Sequence, residues 1–488
     1  MIMTAGLAFA SSPLAAQAQS QTVPFPVALT GTIAPAGGNY TDFLNPVLNA
    51  SGQVAFFADT SVAGSGIFAG TPGSPLTTAA LVGTAAPAGG NYTGFNNTPE
   101  LNASGKVAFL ATTSVSGNGI FAGTPGSPLT TVALVGTAAP AGGNYTGINT
   151  DPVFNASGKV AFLATTSVGT GIFAGTPGSP LTTAALQGTA APAGGNYTSA
   201  FGIPVLNATG QVAIGAGTSV SGAGIFAGTP GSPLTTAALV GTAAPAGGNY
   251  TGFGGLEFNA SGKVACIAST SASGQGIFAG TPGSPLILAA LQGTAAPAGG
   301  NYTTFTNPVL NASGLVAFQA TTSVAGSGIF TGTPGSPLST AALTGTVAPN
   351  CGGATFNTFG NPVLNATGQV AFTCTLNSTT DTDHALFAGA PGSLVLVVRK
   401  GDVIDVNPTA GVDNRTVSAI GLFNGSGGQD GRGMSFNDSG LIVYELTFTD
   451  GSSGIFTSQI APIPEPGMLL AFGAGVLGFG RYLRRRTI

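Results

Sequence analysis

Eight times along this chain of 488 residues an asparagine opens a version of Asn-Ala-Ser-Gly-Lys-Val-Ala-Phe. The asparagines are Asn49, Asn102, Asn155, Asn207, Asn259, Asn311, Asn365 and Asn437, separated by 53, 53, 52, 52, 52, 54 and 72 residues. A period of this length restricts a chain to stacked or ring-closed repeats, because each unit is one supersecondary element with a face left to bury. The motif also dictates local structure. Its asparagine suits the first position of a type I turn, and its glycine supplies the positive φ that closes a bulged hairpin. It therefore joins a short strand ending in Pro-Val-Leu to a second strand, Lys-Val-Ala-Phe-Leu-Ala. A loop of small polar residues, 112–119 in one copy, leads to a third strand, Gly-Ile-Phe-Ala-Gly. Thr124-Pro125-Gly126 then places proline and glycine as a type II turn prefers, ahead of a fourth strand at residues 129–134. A connection reading Gly-Thr-Ala-Ala-Pro-Ala-Gly-Gly-Asn-Tyr-Thr carries the chain to the next unit.

Four short antiparallel strands cannot bury enough surface alone, so the units must pack on one another, in a closed β-propeller or an open β-solenoid. The chain ends choose between them. Residues 27–40 read as a fourth strand and its outgoing connection with no three strands before them, and the eighth unit reaches Gly454-Ile455-Phe456 without a fourth strand. The expected fold is all-β: an eight-bladed propeller over residues 24–460, closed by residues 27–31. The β-solenoid is the alternative. Residues 402–433, rich in Gly and Asp, depart from the period and are expected to form an extended loop on one face of the ring.

Asp, Glu, Lys and Arg make only 5% of the chain against 43% apolar residues, which excludes charge-swollen disorder. Four of the 11 basic residues are Arg481, Arg484, Arg485 and Arg486, so the repeats are weakly acidic, which argues against nucleic acid as a partner. Residues 1–18 read as a secretory signal with a small-x-small site, Ala16-Gln17-Ala18. It has no positively charged start, so translation is expected to begin upstream of Met1. At the other end, residues 461–488 carry Pro464-Glu465-Pro466, an apolar run at 467–480, and the arginines. Fourteen residues are short for a bilayer span, and the run reaches 17 if it extends to Leu483 with Arg481 snorkelling. The arginines set that end in the cytoplasm and the rest of the chain outside.

This tripartite tail resembles a PEP-CTERM sorting signal, with Pro464, Glu465, Pro466, Arg484, Arg485 and Arg486 as its motif residues. The repeats resemble a tandem-repeat family with variable anchors named for Asn-x-x-Gly-x-x-Ala-Phe. The match is complete at residues 102–109 and 155–162 and departs at Ile214, Cys266 and Val443-Tyr444. The resemblance implies export through the Sec translocon, transient residence in the inner membrane by the C-terminal helix, and processing by exosortase. The protein would then stand at the cell surface or outer membrane, or be released. It implies no cofactor and no catalytic residues.

The residues themselves offer little to an enzyme. His384 is the single histidine, so a nucleophilic triad would have to be built around it. Asp381, Asp383 and His384 form a weak metal motif, and a solvated loop is the better reading. Asp402 with Asp405, or Asp430 with Asp438, lack the ligand count of a Ca²⁺ loop. Asp42, Glu100, Asp151 and Glu257 can converge near a ring axis as glycosidase carboxylates, although nothing marks a pair. Cys351 and Cys374 either form a disulfide or stand as two unpaired small residues, and Cys266 replaces a buried phenylalanine. The recurring tyrosines Tyr40, Tyr92, Tyr145, Tyr197, Tyr250 and Tyr302, placed in the inter-unit connection, stack on sugars if exposed. Asn39, Asn91, Asn144, Asn196, Asn249 and Asn301 would add hydrogen bonds. The favoured reading packs the rings between neighbouring blades. The expected function is a non-enzymatic structural or adhesive component of an exopolysaccharide matrix, with a carbohydrate-binding propeller next and a polysaccharide-active enzyme third.

Overall fold

The computed structural model describes residues 22–461, apart from 97, 149, 408–410 and 424–432. The proposed signal (1–18), the sorting residues Pro464 to Pro466 and Arg484 to Arg486, and Asp430 lie outside the described residues. Eight antiparallel sheets follow one another as the blades of a closed propeller.

Blade 2 shows the pattern. Its first strand is in two pieces, Tyr92–Phe95 and Glu100–Leu101, both paired with the second strand, Val107–Thr113. The third strand is Gly117–Gly123 and the fourth Thr130–Leu134. First strands of successive blades touch one another, so they line the axis and the fourth strands form the rim. The second strand is apolar at most positions because it is covered on both faces, by the blade before and the blade after. Gly119 in the third strand is required: a Cβ there would lie 2.7 Å from Leu134 Cδ1 and 3.0 Å from the Ala133 carbonyl.

The turns form as their chemistry dictates. Asn102 Oδ1 accepts from the Ser104 and Lys106 amides at 3.1 and 2.9 Å, and Gly105 takes φ +76°. In Thr124-Pro125-Gly126, Gly126 takes φ +79° and the Ser127 amide donates to the Thr124 carbonyl at 3.0 Å. The asparagine has a second role that the repeat alone does not reveal. Asn49 Nδ2 donates to the Asn102 carbonyl of the next blade at 2.9 Å. Equivalent bonds run from Asn155 to Asn207, Asn259 to Asn311, Asn311 to Asn365, Asn365 to Asn437, and Asn437 back to Asn49. A belt of buried amides thus circles the axis. It is interrupted after Asn102, whose Nδ2 is buried without a partner, and after Asn207, whose Nδ2 bonds its own blade's Gln211.

The ring closes where the chain ends meet. Phe25–Leu29 pairs antiparallel with Ser453–Gln459, with Ala28 opposite Ile455 and Leu29 opposite Gly454, and becomes the fourth strand of blade 8. Closure excludes the open solenoid.

Two expectations need correction. Residues 402–433 are not simply a loop: they hold Val403–Asp405 and Asn414–Gly421, and the latter is the first strand of blade 8, paired with Leu441–Phe448. That strand lacks the Tyr and Pro-Val-Leu markers of its counterparts, so its membership was hidden. The recurring tyrosines are also not connection residues. Each is the first residue of a first strand, and a register shift just after it breaks the alternation by which a strand is recognised.

Candidate functional site

The six tyrosines are buried, at 2–4% exposure. Tyr92 meets Phe121 edge to face at 5.1 Å between centroids and lies 5.4 Å from Phe95, and Tyr302 repeats this with Phe330 and Phe305. With their faces covered, the rings offer no platform for stacking on a sugar. Burial raises every one of these phenols, those of Tyr197 and Tyr302 to about 12. Their hydroxyls have no hydrogen-bond partner among the described residues. Asn39 and Asn91 serve the scaffold, their amides accepted by Ser61 and Ser114 Oγ of the loop between second and third strands at 3.0 Å.

Tyr40, Tyr92 and Tyr302 instead each help to line a groove at the rim, between the connection leaving one blade and the proline turn of the next. At the junction of blades 8 and 1 the groove measures about 390 Å³ and includes Thr32, Pro35, Tyr40 and Pro75. Between blades 1 and 2 it measures about 300 Å³, with Thr84, Pro87, Tyr92 and Pro128. Between blades 5 and 6 it measures about 460 Å³, with Thr294, Pro297, Tyr302 and Pro337. The same residue types recur because the same connection recurs. A different pocket, about 580 Å³, opens between blades 4 and 5 on the axis side and is mainly apolar.

The candidate carboxylates stand on four different blades. Glu100 and Glu257 lie on the first strands of blades 2 and 5, each 6% exposed, and Asp42 lies on that of blade 1. Asp151 precedes the short strand Val153–Phe154 of blade 3, its pKa raised by burial and drawn back by a hydrogen bond with Asn96. Sequence reasoning missed Glu445, on the second strand of blade 8. Burial, with the Asp42 charge adding, pushes it up to about 7. Aligning second strands column by column would have found it, since Glu445 stands where blade 2 has Leu110.

The other candidates are occupied locally. Asp402 Oδ2 accepts from the Arg399 amide at 2.8 Å, Asp405 Oδ1 from the amides of Asn407 and Asp413 at 3.0 Å, and Asp438 Oδ1 from Ala366 of blade 7 at 2.7 Å. Exposed His384 meets Asp383 at 2.8 Å, with Lys400 beside it at 3.2 Å, and His384 and Lys400 together draw the Asp383 carboxyl below its usual range. No group of three possible metal ligands occurs among the described residues. Cys351 and Cys374 are free thiols buried in one apolar cluster, and Cys266 is free and buried opposite Phe278. Among the described residues no helix is long and apolar enough to cross a membrane.

Comparison with known proteins places these features. A family of unknown function, DUF7453, matches residues 60–470, and the PEP-CTERM protein-sorting motif matches residues 462–486. That motif indicates an exported protein that is anchored in a membrane or carried to the surface. No curated protein sequence matches the chain. Among solved structures, it is similar to puromycin hydrolase at 14% identity and TM-score 0.39, covering 88% of this chain and 62% of that one. A puromycin-hydrolyzing peptidase of Mycobacterium tuberculosis gives 13%, 0.40, 88% and 61%. The chain thus spans about three fifths of the length of these two. Aleuria aurantia lectin, in complex with α-methyl-L-fucoside, gives 11% identity and TM-score 0.27, covering 76% of this chain and 100% of the lectin. Likeness at these values carries no inference about activity or ligand.

Proposed function

The chain belongs to the family of unknown function DUF7453, and from that premise we propose that it is a structural and adhesive component of an extracellular polysaccharide matrix. The tail would be processed by exosortase, and the Asn-x-x-Gly-x-x-Ala-Phe repeats would be the working part. One observation carries the reading: grooves of the same composition recur around the rim. A repeating polymer is met best by a repeating surface, because weak contacts held on one rigid ring multiply into avidity of about 10² to 10⁴ over a single site. Threonine, serine and exposed backbone suit a neutral, hydroxyl-rich partner, and the scarcity of charge removes ionic competition.

The test is co-sedimentation of the full chain with the producing cell's own exopolysaccharide, in wild type and in variants whose grooves are filled by Ser74→Trp, Ser127→Trp and Ser336→Trp. Retention should fall little with one groove filled and steeply with three. Equal retention of the triple variant, or no retention of the wild type, would remove the adhesive role. Removal of residues 462–488 should abolish processing and surface attachment, as read by cell fractionation and mass spectrometry of the mature C-terminus.

A further inference from the structure

The pocket between blades 4 and 5 exists because blade 4 breaks the repeat. The second strands of blades 2 and 3 read Val-Ala-Phe-Leu-Ala-Thr-Thr, and that of blade 4, Val212–Thr218, reads Val-Ala-Ile-Gly-Ala-Gly-Thr. The register is unchanged: Gly215 lies opposite Ile225 as Leu110 lies opposite Ile120. Leu110 is 2% exposed and packs with Tyr145 and Ile148 of the following blade, so this column fills the space between blades. At Gly215 the filler is missing, and a Cβ built there would meet nothing within 4 Å. Its φ is not positive, so glycine is not needed for the backbone.

Two further departures shape the same space. Where blades 1, 6 and 7 place Asn45, Asn307 and Asn361 before Pro-Val-Leu, blade 4 has Ile203, which is 53% exposed at the pocket. The opposite wall, in blade 5, is Phe253-Gly254-Gly255-Leu256, and Gly255 holds φ +57° with Asn307 leaning over it. The result is a pocket of about 580 Å³ with bare peptide planes and aromatic rings on its walls and an apolar residue at its mouth. That volume lies within the range of about 300 to 1,000 Å³ in which proteins hold small molecules.

We propose that this pocket is a single small-molecule site, distinct from the rim grooves, that takes a flat and mainly apolar ligand of the size of two or three fused or linked aromatic rings. Peptide planes and phenylalanine rings receive flat faces, and the loss of the Leu side chain at Gly215 leaves room for one such body. The lining, apolar except for Glu257 and Asn307, disfavours a free sugar, most of whose hydroxyls would lose their hydrogen bonds with water. The site stands independently of matrix adhesion, and either reading can fail alone.

The probe is N-phenyl-1-naphthylamine, uncharged and fluorescent in apolar surroundings, titrated into the full chain. Saturable binding at one equivalent is expected. Gly215→Leu, which restores the residue of blades 2 and 3, should weaken binding at least about tenfold, a change of about 1.4 kcal/mol, while the melting temperature holds or rises. Gly215→Ala should weaken it less, and it serves if the larger change disturbs folding. Ile203→Asn should weaken it through the mouth. Unchanged affinity in both Gly215 variants, or no saturable binding by the wild type, overturns the proposal. Displacement of the probe by maltose would assign the pocket to sugars and overturn the aromatic class.

Discussion

Blade 2 is written in one continuous stretch and blade 8 in two, with Thr30 and Ser453, 423 residues apart, hydrogen bonded in the same sheet. The contiguous junction after blade 2 lacks its axial amide bond, since Asn102 Nδ2 is unpartnered. The seam has it, from Asn437 Nδ2 to the Asn49 carbonyl at 3.1 Å, and adds the full pairing of Phe25–Leu29. The difference is instructive. Where the chain itself tethers two blades, a missing hydrogen bond is tolerated, whereas at the seam only non-covalent contacts hold the ring.

The most direct way to break this comparison is to delete residues 25–29. The strand Ser453–Gln459 would become an unpaired edge, and the cooperative thermal transition should be lost, with aggregation on size exclusion. A ring that still melts as one unit would show the seam to be dispensable. Next in size is Asn437→Ala, which removes the seam bond and three turn bonds and should cost about 2–3 kcal/mol in denaturant unfolding. Asn102→Ala, losing turn bonds alone, should cost about 1 kcal/mol less. Equal losses would deny the axial belt a special role at the seam.

Glu445 sharpens the contrast through pH. Its folded pKa of about 7 lies above the ordinary 4.5, so the folded ring keeps a proton that the unfolded chain releases. Stability therefore declines as pH rises from about 4.5 to 7 and stays lower above. Glu445→Gln should remove that decline, with its gain largest at pH 8 and absent at pH 4, as read by thermal melts. The smallest effect is expected at the phenols. Tyr92→Phe removes a hydroxyl with no protein partner and should change stability by less than about 0.5 kcal/mol, whereas Tyr444→Phe breaks the 2.8 Å bond to Ser458 and should cost about 1 kcal/mol.

Local chemistry made much of this legible in advance. Asn-x-x-Gly and Thr-Pro-Gly encode their turns within four residues, and the complementary defects at residues 27–31 and 454–456 were readable because both ends keep repeat markers. The first strand of blade 8 was not legible, because Asn414–Gly421 carries none of those markers and is defined only by the partner it pairs with. The tyrosines showed their period but not their direction, since a ring at a strand start faces solvent or core according to the phenylalanines that the fold brings over it.

The sequence by itself determined the number of blades, the turns that shape them and the sorting motif of the tail, because period and turn chemistry act between residues close in the chain. Only the tertiary structure decided that asparagines reach across to the next blade, that the tyrosines sit inside, that grooves recur at the rim, and that Gly215 opens a pocket. Each of these depends on what another strand places opposite a side chain, in the same blade for the tyrosines and in the next blade for the asparagines.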